Sequence, residues 1–148
     1  MISRLKKSEH NDILTPKMKG QRLMWIFCKL GFFSAVQHRE RPDTLLVRGR
    51  FSGDLESLLD SLSPEDRELC STVAETPNAD YLYRLEMPKH VFAKAVGEIA
   101  GEINYDNFKD SVHEGDRSPR DAAYMGCWSE LRTGQSADAS LRRHDRTK

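Results

Sequence analysis

The chain has little of what catalysts and metal sites are usually built from. Its three cysteines, Cys28, Cys70 and Cys127, are scattered through 148 residues with no CxxC spacing. An odd, dispersed set reads as reduced thiols of a cytoplasmic protein, and it excludes a disulfide framework or a zinc ribbon. The histidines His10, His38, His90, His113 and His144 form no HxH or HxxxH pair, so no metal is expected. There is no GxSxG elbow, no phosphate-binding P-loop and no GxGxxG turn; no catalytic residue stands out and no cofactor is expected. No apolar run approaches the roughly 18 residues of a membrane span. The basic N-terminus lacks the apolar segment and cleavage site of a signal peptide. The expectation is a cytoplasmic protein without a membrane partner.

Charge is balanced in total and uneven along the chain. Residues 1–22 carry six Lys/Arg against Glu9 and Asp12, and residues 133–148 carry Arg142, Arg143, Arg146 and Lys148 against Asp138 and Asp145. The stretch between them is therefore acidic. This divides the chain into a basic extension (1–22), one folded domain (23–132) and a basic tail (133–148), with both ends read as flexible. The ends read either as solubilising termini or as steering charge for an anionic partner; zero net charge argues against a dedicated DNA binder.

Between the tails, aromatic and β-branched residues dominate Met24–Phe51. Trp25–Gln37 and Thr44–Phe51 read as two strands joined by the HRERPD turn, with Gly31 marking a bend. Period-2 alternation puts Leu45, Val47 and Gly49 on one face and Leu46, Arg48 and Arg50 on the other. Leu55, Leu58, Leu59 and Leu62 give a helix stripe opened by Ser52, with Asp54 and Glu56 complementing its N-terminal dipole. Leu69–Glu75 is a weaker strand, Thr76–Asp80 a turn and Tyr81–Glu86 a strand. Pro88 opens a second helix, in which Gly97 and Gly101 share a face that would allow close packing on the sheet. Pro119–Leu131 is the last helix. VRGRFSGDLESLL and YRLEMPKHVFAKAV echo one another at an offset that matches Arg48 with Arg84. Two ββα halves predict an α+β two-layer sandwich: a four-stranded antiparallel sheet with helices on one face, ferredoxin-like or (ββα)2.

Two groups of residues are candidates for binding. Trp25, Arg48, Arg50, Tyr81, Tyr83 and Arg84 would share the helix-free sheet face, where guanidinium groups and rings take up single-stranded nucleic acid by charge and stacking. The bland alternative is an ordinary solvent face or a protein contact. Tyr105, Asn107 and Phe108, in the NYDNFK junction, would pin the helices to the sheet or rim a pocket with His113 and Tyr124.

In combination, the stretches WIFCKLGFFSAVQ, TLLVRGR, Asp54-Leu55, TPNADYLYR, INYDNFKDSV and the closing Tyr124, Trp128 and Leu131 resemble a widespread family of small bacterial proteins with no assigned activity. The resemblance covers about Met24 to Gln135. It implies an autonomous cytoplasmic α+β domain and supplies no catalytic residues. Three expectations follow. The first is a non-enzymatic binding or regulatory module acting through a protein partner or self-association. The second is single-stranded nucleic-acid (RNA) binding through the Arg/aromatic face. The third is an enzyme that would need His113, Tyr105 and Asp106 around one cleft.

Overall fold

The structure is a computed structural model that describes residues 24–104, 106, 108 and 119–145, with side chains to residue 140. The basic extension 1–22, Tyr105, Asn107 and His113 lie outside the described residues.

The run expected as one strand, Trp25–Gln37, is itself a hairpin: β1 (Met24–Cys28) turns at Lys29 and Leu30 into β2 (Gly31–Gln37). Thirteen residues is long for a single strand; the bend expected at Gly31 is a full turn, which the apolar Leu30 and the lack of an Asn-Gly pair did not announce. The HRERPD connection forms as expected and leads to β3 (Thr44–Gly49), closed by the His38 N–H on the Thr44 carbonyl at 2.9 Å.

Helix α1 (Ser52–Asp60) follows at once, with Phe51 rather than Ser52 at its N-cap position, and a second short helix, α2 (Pro64–Glu68), comes after it. Ser63 caps α2 by accepting the Asp66 N–H. The strand expected over Leu69–Glu75 shrinks to β4 (Ala74–Glu75). The turn after it is as expected: Pro77 takes the second position, Asn78 has φ 66°, and the Ala79 N–H reaches the Thr76 carbonyl at 3.3 Å. β5 (Tyr83–Pro88) runs directly into α3 (Lys89–Gly101).

The sheet is antiparallel with five strands, not four, in the order β1-β2-β3-β5-β4. Within it, β2-β3-α1 and β4-β5-α3 lie on either side of the central β3·β5 pair, with Arg48 and Arg84 as register partners. β1 is the added edge strand. Helices α1 and α3 cover one face. Leu55, Leu58 and Leu59 of α1 and Val91, Phe92 and Ala95 of α3 pack on Cys28, Phe33, Ala35, Val47, Leu85 and Met87. This is the face that alternation assigned to Val47, and its burial is the main stabilising term.

Gly97 and Gly101 do not serve helix packing: a Cβ at either would meet open space. Gly97→Ala therefore removes only conformational freedom of the unfolded chain. We expect about 1 kcal/mol of added stability, read as a higher urea midpoint with unchanged slope.

The last helix, α4 (Pro119–Asp145), runs past the expected end at Leu131. Among its described residues, Asp121 and Tyr124 in the first turns are buried, whereas Trp128 is 41% and Leu131 74% exposed. Cys127 is exposed too, so the face carrying Trp128 and Leu131 is not part of the sheet core. Among the described residues, no helix is long and apolar enough to cross a membrane.

Candidate functional site

Strand register places one row of residues across the helix-free face: Trp25 on β1, Ser34 on β2, Arg48 on β3, Arg84 on β5 and Ala74 on β4. Neighbouring strands are about 4.8 Å apart, so the Trp25 and Arg48 backbones are separated by about 10 Å. Trp25 is 64% exposed at the edge. Phe32 links the rings of this face, edge-on to Trp25 at 5.7 Å, stacked on Phe27 at 4.4 Å and tilted against Tyr81 at 6.3 Å.

The two arginines at the centre of the row are half-buried and lack a carboxylate. Arg48 donates from Nη2 to the Ser34 hydroxyl at 2.7 Å and lies over the Tyr81 ring, 4.6 Å from its centre. The Arg84 side chain makes no hydrogen bond or ion pair with any described residue, and the Nε of both arginines is buried without an acceptor. Like charges directly opposite on neighbouring strands repel, and the cation–π contact offsets this for Arg48 alone. Arg50 differs: it is satisfied by the Asp80 carbonyl and carboxylate at 2.9 and 3.3 Å while also lying over Tyr81. Further along the same face, Arg41 and His38 hold Glu86, and the Arg41 hydrogen bond draws that carboxyl below its ordinary range.

Two expected members of the site have other roles. Tyr83 pairs with Gly49 on the face toward the helices and packs against the core, because it is one residue out of phase with Arg84. Tyr81 precedes β5 and is only 4% exposed, so its ring supports the guanidinium groups of Arg48 and Arg50 and is closed to a ligand. Trp25, Arg48 and Arg84 are brought together. Of the junction residues, Phe108 stacks on Tyr124 at 6.3 Å, and Tyr124 in turn meets Phe27 edge-on at 5.7 Å. The start of α4 thus borders the aromatic end of the face.

Sequence reading missed a buried polar anchor beneath that border. Asp54, expected only to complement a helix dipole, is fully buried. Its Oδ2 accepts the Phe32 N–H at 3.0 Å and its Oδ1 accepts Arg120 Nη1 at 3.1 Å. Burial pushes its carboxyl up, and the bonds from Phe32 and Arg120 oppose the shift. Burial also raises the Cys28 thiol and the Tyr124 phenol, which favours their neutral forms. This cluster ties α1, β2 and α4 together and offers no activated nucleophile. A cavity of about 190 Å³ lies on the helix side, lined by Cys28, Leu30, Ala95, Ile99 and Ile103 with Glu98 at its rim. No group of side chains suited to a metal ion occurs among the described residues. No family model, curated protein or solved structure matches the chain.

Proposed function

We propose that this domain is a binding module whose open sheet face takes single-stranded nucleic acid, with a phosphate between Arg48 and Arg84 and a base stacked on Trp25. The observation that carries the reading is the in-register arginine pair, half-buried and without a counter-charge. Two arginines at directly opposed positions of β3 and β5, neither paired with an acid among the described residues, repel each other in isolation, and an anion with several acceptor oxygens held by both would make the pair favourable. An exposed ring in the same row adds sequence-tolerant stacking.

The helix layer is net acidic: exposed Glu56, Asp60, Glu65, Glu68 and Glu98 outnumber exposed Arg67, Lys89 and Lys94 there, so an anionic strand is favoured on the sheet face over that layer. The exposed Met24, Trp25 and Phe27 favour a second reading, contact with a protein that has an apolar and acidic surface. Binding of a bare RNA oligonucleotide, which the second reading does not predict, separates the two.

The test is fluorescence anisotropy of a labelled mixed-sequence RNA oligonucleotide at rising salt. Arg48→Ala/Arg84→Ala should weaken binding at least about tenfold and flatten the log–log salt slope by about 0.7, for the one phosphate no longer neutralised. Trp25→Ala should weaken it by roughly 1–3 kcal/mol with the slope unchanged. Absence of binding at low salt, or equal binding by the double variant, would rule the reading out.

A further inference from the structure

β1 is an outer strand of the sheet, and its far edge pairs with none of the described residues. Its sequence, Met24-Trp25-Ile26-Phe27-Cys28, holds no charge, proline or glycine. Met24 is 52%, Trp25 64% and Phe27 39% exposed. Proteins usually blunt such an edge with lysine, proline or a bulge. Met24–Cys28 has none of these devices, and an apolar strand edge of this kind is a template for another strand.

We propose that the occupant is β1 of a second copy of this chain, paired antiparallel about a twofold axis through Ile26 and normal to the sheet. Three features favour a copy over an unrelated strand. In this register odd positions meet odd and even meet even, so whichever alternate residues point their backbone groups outward find the same groups pointing back. On the open face each Trp25 lies opposite the second copy's Phe27, an aromatic cross-strand pair of the favourable kind. On the helix side Ile26 meets itself and Met24 meets Cys28, apolar throughout.

An axis normal to the sheet keeps the two open faces on the same side. The rows of the two copies then run into one another, and the rings of one copy complete the aromatic end of the other's row. The assembly is isologous and closed, so it ends at two copies. It does not depend on the nucleic-acid reading, and its test contains no nucleic acid.

Sedimentation velocity of the full chain over a concentration series should give a species of twice 17.0 kDa. Trp25→Lys/Phe27→Lys sets lysine opposite lysine and should give a monomer with unchanged circular dichroism. Mixing it with Trp25→Glu/Phe27→Glu should restore the dimer, because each lysine then faces a glutamate. Ile26→Cys should form a disulfide with its own copy when oxidised glutathione is supplied, since directly opposed residues lie within bridging range. A mass of 17.0 kDa at every concentration, or a dimer that survives the lysine pair, overturns the proposal. Loss of RNA binding in a chain that still dimerises would fail only the nucleic-acid reading.

Discussion

Gly31→Ala is expected to destabilise the protein by about 3 kcal/mol, adding overpacking of 1–3 kcal/mol to damage at a buried hydrogen bond of similar size. A Cβ at this position would lie 2.5 Å from the Cβ, 2.6 Å from the Cγ and 3.0 Å from the Cα of Asp54. Those atoms are the root of a side chain in the first turn of α1 and cannot swing aside. To make room, α1 must lift from the sheet, although Leu55 and Leu58 on the same helix are completely buried against it. The Phe32 N–H bond to Asp54, one residue along, is strained by the same shift. Thermal unfolding followed by circular dichroism should show a fall in midpoint of about 10 °C. Gly53→Ala is the control: a Cβ there meets nothing within 4 Å, so no comparable loss is expected. Equal behaviour of the two variants would show that α1 does not sit so close to the β1–β2 turn.

Asp54→Ala is expected to cost about 3 kcal/mol at neutral pH, since it leaves the Phe32 N–H and the Arg120 guanidinium without their acceptor. The figure sits at the low end for a broken buried pair because Arg120, 30% exposed, can regain water. Asp54→Asn keeps an oxygen for Phe32 and should cost less.

The pH dependence has a definite sign. Burial raises the folded-state pKa of Asp54 above its ordinary 3.8, so folding favours the protonated form. The stability this contributes is fully present below 3.8 and is lost as the pH rises through the higher folded value. The advantage of the native protein over Asp54→Asn should therefore narrow from acid toward neutral pH in urea titrations. Glu86 and Asp66, held low by Arg41 and Lys94, lose their contribution as the pH falls, but they do so equally in both proteins and cancel from the difference. A difference that widens with pH would mean that the Arg120 pair, rather than burial, governs this carboxyl.

Much of the fold was legible because it rests on periodicity and turn chemistry. Alternation in LLVRG assigned Val47 to the core and Arg48 to the opposite face, and the leucine stripe located α1. Pro77-Asn78 announced its turn, and the offset of Arg48 from Arg84 marked two strands that prove to be register partners. Most of what failed depended on contacts remote in sequence. Gly31 marked a bend in the Trp25–Gln37 run, but that this bend is a full reversal is decided by Asp54, 23 residues away, whose side chain fills the space a Cβ at Gly31 would need. Tyr83 was grouped with Arg84 on the open face although neighbouring residues of one strand alternate; with Arg84 on that face, Tyr83 turns to the helices, an outcome the alternation itself already required. The glycines of α3 pointed to a packing face that helix orientation places in solvent.

The sequence by itself determined that this is an α+β chain with a sheet face rich in arginine and aromatic residues, because a period of two and local caps act within a few residues of where they are written. Only the tertiary structure decided which of those residues stand together. It aligned Trp25, Ser34, Arg48 and Arg84 in one row, placed the Tyr81 ring under the guanidinium groups, and left the far edge of β1 unpaired among the described residues. Those outcomes follow from strand order and register, which are set by burying one face of every strand at once, and no single segment carries that information.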